Sequence, residues 1–267
     1  MITEWGRGTI RYDVPRIMGI LNVTPDSFSD SIRYSGKDAV ERIFRMEDEG
    51  ADIIDVGGES TRPGSVPVTP EEEMSRIIGV IREAAPSLRT PISVDTMHPE
   101  TARAALDAGA AIINDVSGLR DERMMEVVAS YGVPVVIMHM HGVPRTMQAD
   151  TMSGDVVAQI SDFFDHISEK AEGAGIRRDR MILDPGIGFG KTFEQNVTII
   201  KELKALRKGC PLLTGTSMKS FLPHAFPGIP REAASIISAE ECISNGADMV
   251  RVHDVAGTSE RIRGRRI

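Results

Sequence analysis

Short apolar runs rich in Ile, Val and Leu recur along the chain: RIMGILN (16–22), DIIDVG (52–57), PISVD (91–95), AIIND (111–115), PVVIMH (134–139), MILDP (181–185), PLLTG (211–215) and DMVRVH (248–253). Their length and their Gly and Pro boundaries fit strands buried on both faces of a parallel sheet. Stretches with helical periodicity lie between them, such as GKDAVERIFRMEDEG (36–50) and PETARAALDAG (99–109). Three strands are preceded by EGAD, AGAA and NGAD, in which a glycine stops a helix and the chain passes straight into the next strand. Eight β/α units with no linker or composition shift predict an α/β protein, a single-domain (β/α)8 TIM barrel over residues 1–267. A doubly wound open sheet is the competing arrangement.

The polar residues collect where the runs end: Asn22, Asp55, Asp95, Asn114, His139, Asp184, Thr214, and the pair Arg251 and His253. A single carboxylate at a strand end is commonly a helix cap. Polar groups at the end of all eight runs are harder to explain that way. The C-terminal ends of barrel strands are where such folds keep their sites, so the convergence marks a candidate active site.

Composition narrows the partners. Net charge is −8 over 267 residues, which argues against binding a nucleic-acid phosphate backbone. The basic end ERIRGRRI (260–267) reads as a solvated helix end. Cys210 and Cys242 are far apart, with no CxxC, as expected of reduced, partly buried thiols. The first residues lack the apolar core of a signal peptide, and no stretch approaches the ~20 apolar residues of a membrane span. The expectation is a soluble cytoplasmic protein with no membrane partner.

Several motif look-alikes fail. GIGFGKT (186–192) would need Gly at 185 to be a phosphate loop, and Pro185 stands there. It is no dinucleotide fingerprint either, since its third Gly comes one position early. HMH (139–141) is a weak metal signal in a chain with six His and no other cluster. There is no Gly-x-Ser-x-Gly elbow and neither Cys has a nearby His, so covalent catalysis has little support. The fourteen Met residues read as core filler. What remains is acceptors (Asp95, Asn114, Asp184) for a heterocycle rich in N–H donors, and cations (Lys219, Arg251, His253, Arg62) for an anion. Asn22 offers one neutral oxygen to a hard cation such as Mg²⁺. The inferred substrate is a planar polar ring carrying a phosphate-like group.

With these residues assembled, the sequence resembles dihydropteroate synthase. The matching segments are GILNVTPDSFSD (19–30), DIIDVGGESTRPG (52–64), SVDT (93–96), INDVSG (113–118), MHMHGVPRTMQ (138–148), LDPGIGFGK (183–191), GTSMKS (215–220) and RVHDV (251–255). They span most of the chain. The resemblance implies a (β/α)8 barrel that joins dihydropterin-methyl diphosphate to p-aminobenzoate, releasing pyrophosphate. By resemblance, Asp95, Asn114, Asp184 and Lys219 hold the pterin, Asn22 ligates Mg²⁺, and Thr61, Arg62, Arg251 and His253 contact the diphosphate. Phe28, Pro63 and Ser217 match the aryl amine's neighbourhood, with Phe189 lining the same pocket and Gly215 among the implied substrate-binding residues. Two mobile loops, about 23–36 and 60–70, and a homodimer are implied in the same way. Asp95, Asp184, Lys219, Arg251 and His253 are the implied catalytic set.

The sequence departs from the family at three places. Met218 stands where the family loop has arginine, Ser31-Ile32 replace a Gly-Gly pair, and the segment after Lys219 differs. These departures leave a second acceptor open, the ribose-phosphate-bearing aryl amine used to make methanopterin. A pterin-dependent methyltransferase and a non-catalytic pterin-binding protein are the other classes, separated from a synthase by pyrophosphate release.

Overall fold

The chain begins with a hairpin that the apolar runs do not announce, β1 (Ile2–Trp5) and β2 (Gly8–Arg11), antiparallel with Trp5 opposite Gly8. Its sequence signal is slight: one turn, Gly6-Arg7, between two short alternating stretches. The computed structural model describes residues 1–23, 36–61, 64–143, 145–147 and 149–264.

After the hairpin come β3 (Arg16–Asn22), α1 (Lys37–Glu49), β4 (Ile53–Gly57), α2 (Pro70–Ala84), β5 (Ile92–Asp95) and α3 (Pro99–Ala108). Then follow β6 (Ile112–Asp115), α4 (Glu122–Tyr131), β7 (Val135–Met138), α5 (Val156–Gly173), β8 (Met181–Asp184) and α6 (Phe193–Lys201). The chain ends with β9 (Leu213–Thr214), the short α7 (Leu222–Ala225), α8 (Arg231–Ser244), β10 (Met249–Val252) and α9 (Val255–Arg263). Every predicted run contains a strand.

Strands β3 to β10 pair in parallel in the order β8-β7-β6-β5-β4-β3-β10-β9. The two ends of that order meet. Leu183 bridges to Leu212, and the Leu183 N–H donates to the Pro211 carbonyl at 2.9 Å. A sheet that returns to its own first strand is a barrel, so the doubly wound alternative is excluded. The glycines of the three helix stops adopt the left-handed conformation expected of them: Gly50 at φ 100°, Gly109 at φ 114° and Gly246 at φ 112°.

An apolar layer fills the lower barrel: Met18, Ile53, Ile112, Val136, Ile182, Leu213 and Met249, packed with Ile10 and, less buried, Trp5 and Tyr12 of the hairpin region. The hairpin therefore covers the floor. A second, larger core lies between strands and helices and contains Ile17, Leu21, Ile54, Val94, Ile137 and Leu183. Successive strand residues alternate between the two cores.

Six of the eight strands start one or two residues inside their apolar runs, and at two of them the residue left out is an aspartate. Asp52 and Asp248 stay outside the ladders because their carboxylates cap the floor. Asp52 Oδ2 accepts from the Ile17 N–H at 2.8 Å. Asp248 Oδ2 accepts from the Leu212 N–H at 2.9 Å, and its other oxygen pairs with Arg207. Run 211–215 yields only two ladder residues, because the Leu212 carbonyl is taken by both Asp248 and Met249 N–H groups. The basic end is not simply solvated: Arg263 donates to the Gly50 carbonyl at 2.9 Å and to Pro15 at 3.1 Å, and pairs with Asp52.

Asp248 thus ties the seam where the barrel closes. Asp248→Ala leaves the buried Leu212 N–H without its acceptor, a loss of about 1–3 kcal/mol. Urea denaturation should show this as a lower midpoint with unchanged slope; an unchanged midpoint would remove Asp248 from the seam.

Candidate active site

Two residues beyond the apolar layer, the inward positions turn polar. Asp55 follows Ile53, Asn114 follows Ile112, Asp184 follows Ile182 and Arg251 follows Met249. Gly215 follows Leu213 in the same way. Asp95 ends β5 and pairs in register with Asn114. The two-residue period of the strand places these groups on one surface inside the barrel mouth. Asp55, Asp95, Asn114 and Asp184 are all buried.

Arg251 organises one side. Its Nε donates to Asp55 Oδ2 at 2.6 Å and its Nη2 to Asp95 Oδ2 at 2.5 Å. Asn114 Nδ2 donates to the same Asp55 oxygen at 2.8 Å. Burial alone would lower the guanidinium pKa, but Asp55 and Asp95 hold it above its ordinary value. Burial pushes the Asp95 carboxyl up to about 7, against the pull of Arg251 and with help from Asp55. The other oxygens, Asp55 Oδ1 and Asp95 Oδ1, are buried and have no hydrogen-bond partner among the described residues. A buried acceptor without a donor is costly, and here the deficit falls where a ring with N–H groups would sit.

Asp184 stands on the other side. Its Oδ1 accepts from the Gly186 N–H at 2.7 Å. Burial raises its pKa to about 6, opposed by that hydrogen bond and then by Lys219, Lys191 and Arg251. The Lys219 ammonium lies 4.0 Å from the centre of the Phe189 ring, a cation–π contact. Ser217 Oγ is 2.9 Å from His253 Nδ1 and accepts from the His253 N–H at 3.3 Å. Between them Met218 is left-handed at φ 60°, and its N–H donates to Ser235 Oγ at 2.9 Å. GTSMKS therefore turns one member to His253 and another to Phe189.

Asn22 ends β3 beside Gly57 of β4. Thr61 is half-buried, past a segment anchored by the Arg76 Nη1 bond to the Gly58 carbonyl at 2.6 Å and by the Glu59–His98 contact at 3.1 Å. Phe28, Arg62 and Pro63 lie outside the described residues, as do most of the first implied loop and part of the second. Arg251 commits Nε and Nη2 to Asp55 and Asp95, two of the three nitrogens of its guanidinium. His139 is buried edge-on against Phe163 at 5.1 Å, and burial, then Lys191, pushes its pKa down to about 3. It is a core histidine, and His141 faces Asp150 at 3.9 Å.

Two residues in this region escaped assignment from the sequence. Asp55 was visible only as one more polar strand end, and nothing in its type separates a partner of arginine from a helix cap. Lys191 sits in GIGFGKT, whose only evident meaning was a failed phosphate loop. It is 2% exposed and its Nζ donates to three carbonyls, Gly186 at 2.9 Å, Phe189 at 3.0 Å and His139 at 3.2 Å.

Comparison with known proteins agrees with this geometry. The family described as pterin binding enzyme matches residues 18–253. The dihydropteroate synthase of Synechocystis is 42% identical over 263 residues, covering 96% of this chain and 89% of that protein. Xanthomonas albilineans dihydropteroate synthase, solved with 4-aminobenzoic acid, superposes with a TM-score of 0.88 at 42% identity, over 97% of this chain and 94% of that one. The Yersinia pestis dihydropteroate synthase, solved with a sulfonamide drug complex, gives a TM-score of 0.93 at 37% identity over 98% and 97% of the two chains. A full-length match in sequence, a shared barrel and a polar mouth of the expected composition place this chain in the dihydropteroate synthase family of pterin-binding enzymes.

Proposed function

We propose that the chain condenses (7,8-dihydropterin-6-yl)methyl diphosphate with p-aminobenzoate to 7,8-dihydropteroate and pyrophosphate. The bond between the pterin methylene carbon and the diphosphate oxygen breaks, a carbon–nitrogen bond to the aryl amine forms, and the amine gives up a proton. The observation that carries this reading is the pair of unpartnered buried acceptors, Asp55 Oδ1 and Asp95 Oδ1, beside Asn114 and opposite Asp184. A pterin supplies ring N–H and amino donors on one edge. Its planar face would lie near Phe189 and Lys219, which are already stacked on each other.

Each group then has a definite task. Bond breaking leaves positive charge on the pterin and negative charge on the leaving diphosphate. Asp95 and Asp184 stabilise the first and accept its N–H groups. His253 and Thr61, with Arg62, face the second. Arg251 holds Asp55 and Asp95 through Nε and Nη2 and adds its charge, with the N–H groups of Nη1, on the side of the leaving diphosphate. Ser217 and Phe189 border the aryl amine, with Phe28, Pro63 and the backbone of Gly215. The amine is itself a fair nucleophile, so positioning and electrostatics suffice without a strong general base.

Mg²⁺ belongs to the same proposal. Asn22 supplies one neutral oxygen, and no group of three or more His, Cys, Asp or Glu able to hold a metal occurs among the described residues. That donor set suits Mg²⁺, which keeps waters and takes substrate phosphates as its other ligands. When bound it would neutralise charge on the leaving diphosphate. A homodimeric state and a cytoplasmic location are part of the proposal too; no described helix is long and apolar enough to cross a membrane.

Mixing the pterin diphosphate with p-aminobenzoate should release pyrophosphate and form dihydropteroate in equal amounts, and chelation of Mg²⁺ should suppress both. Release of neither product would end the synthase assignment; turnover surviving thorough chelation would end the metal's part in it.

Asp184→Asn presents a donor where an acceptor is needed, a change worth about 1.5–3 kcal/mol in pterin affinity. The wild-type protein should also lose pterin affinity as pH falls through about 6, where Asp184 takes up a proton and ceases to be an anionic acceptor. The Asn variant, already neutral, should lack that step. Calorimetry with the pterin between pH 5 and 8 checks both, and equal affinity in the two proteins would remove Asp184 from the ring site.

Met218 is half-buried and brings neither charge nor a fork of donors to the acceptor side. Met218→Arg should therefore strengthen p-aminobenzoate and sulfonamide binding together, by about 0.5–1 kcal/mol. It should bring no parallel gain for an aryl amine bearing a ribose phosphate. Acceptor KM and sulfonamide inhibition in both proteins decide this, and unchanged constants would show that position 218 carries no acceptor information.

A further inference from the structure

We propose that Lys191 is a positioning residue for the pterin side of the site: its buried ammonium gathers the carbonyls of His139, Gly186 and Phe189 and so fixes the glycine whose N–H binds Asp184 and the ring that faces Lys219. The inference rests on the assignment of Asp184 to the pterin. Lys191 itself touches no inferred substrate position, and acts through its neighbours.

Three hydrogen bonds to one Nζ match the three donors of a charged ammonium, whereas a neutral lysine has only two. The carbonyls come from two different loops, those following β7 and β8. Their convergence depends on glycine. Gly186 is left-handed at φ 66°, and a Cβ there would stand 2.0 Å from the His139 carbonyl oxygen. Gly190, at φ 68°, approaches the His141 carbonyl in the same way, with a Cβ at 2.5 Å. Two backbones are thus pressed together with several carbonyl dipoles crowded at the seam. A cation in their midst offsets that crowding.

The consequence reaches the site by two short paths. Gly186 gives its carbonyl oxygen to Lys191 and its N–H to Asp184 Oδ1 at 2.7 Å, so the lysine and the carboxylate hold the two peptide groups that flank one glycine Cα. The Phe189 carbonyl is held at 3.0 Å while its ring lies 4.0 Å beneath the Lys219 ammonium. Lys191 also acts through its charge. Asp184 is faced by Lys219 from the β9–α7 loop, Lys191 from its own loop and Arg251 from β10, with the Cys242 thiol of α8 near it. Lys191 faces Asp184 and Lys219, and depresses His139. Burial lowers its own pKa to about 7, with Asp184 acting in the opposite direction.

Lys191→Met removes the charge and all three donors in a side chain of similar length; Lys191→Arg keeps the charge. Binding of the dihydropterin alcohol without its diphosphate, and separately of pyrophosphate, is measured by calorimetry from pH 5 to 8, beside thermal melts. In Lys191→Met, pterin affinity should drop by about tenfold or more at pH 6.5, where both Asp184 and the Lys191 ammonium are mostly ionised, and pyrophosphate affinity should stay within about twofold. The pH below which pterin affinity falls should move upward, because Asp184 has lost a cation that favours its ionised form. Lys191→Arg should keep that pH near the wild-type value. Should Lys191→Met not fold, Lys191→Gln, neutral with two donors, carries the same comparison. Equal losses of pterin and pyrophosphate affinity, or an acid limb that does not move, would reduce Lys191 to a structural staple and overturn the proposal. Asp184→Asn runs in parallel. If that variant keeps full pterin affinity the ring assignment itself fails, whereas a loss there with none in Lys191→Met refutes the positioning role alone.

Discussion

Everything at the barrel mouth depends on the guanidinium of Arg251 lying between Asp55 and Asp95. Three strands, β4, β5 and β10, each deliver one charge to the same buried place, and β6 adds Asn114 to the shared oxygen of Asp55. Remove the arginine and two carboxylates remain without a counter-charge in the interior, a loss that typically costs about 3–5 kcal/mol. Apolar residues of similar volume would stabilise such a layer at least as well. The network is better understood as a prepared polar surface: one oxygen of each aspartate is locked onto Arg251, and the other is left buried and unanswered.

The same surface explains the direction of the pKa shifts. Asp95 and Asp184 are both raised because burial outweighs their cations. In the unfolded chain they would titrate near the ordinary carboxylate value, so between roughly pH 4 and 7 the folded state holds protons that the unfolded chain has released. By linkage, their contribution to stability is greatest below that window and is lost as pH rises through it. These two groups therefore oppose folding at neutral pH. Stability is given up where a ligand's N–H groups would restore it, and binding of the ring should raise the melting temperature by mass action.

The barrel was legible because its period is carried by eight separate runs, each with its own glycine and polar punctuation. Gly50, Gly109 and Gly246 could be read as helix stops from the sequence alone, since few other residues tolerate φ above 100°. The hairpin of Ile2–Trp5 and Gly8–Arg11 was not legible: its strands are short, and only packing under Met18 and Met249 gives it a role. Asp95, Asn114 and Asp184 could be picked out as strand ends. Their mutual geometry could not, because the choice of Asp55 and Asp95 as partners of Arg251 depends on strand stagger, which sequence spacing does not encode. Lys191 was invisible for the opposite reason. A lysine among glycines looks like a loop residue, and only the folded chain reveals that those glycines draw three carbonyls around it.

Met218 brings local strain and site geometry together. It is one of two non-glycine residues with positive φ among those described, the other being Leu119 at φ 58°, and such a conformation costs roughly 1–2 kcal/mol. In both, the strained residue's own N–H donates a hydrogen bond, Leu119 to Asp115 Oδ2 at 2.8 Å and Met218 to Ser235 Oγ at 2.9 Å. At Met218 the strain has an evident purpose. Ser217 must meet His253 while Lys219 meets Phe189, and residues two apart reach those two places because the chain turns at the residue between them. Apart from Asn and Asp, which tolerate this region better, most L-residues at 218 would bear a similar backbone cost, so the turn does not select methionine. Its side chain is therefore free to vary with whatever stands on the acceptor side, while the backbone of GTSMKS keeps the pterin side fixed.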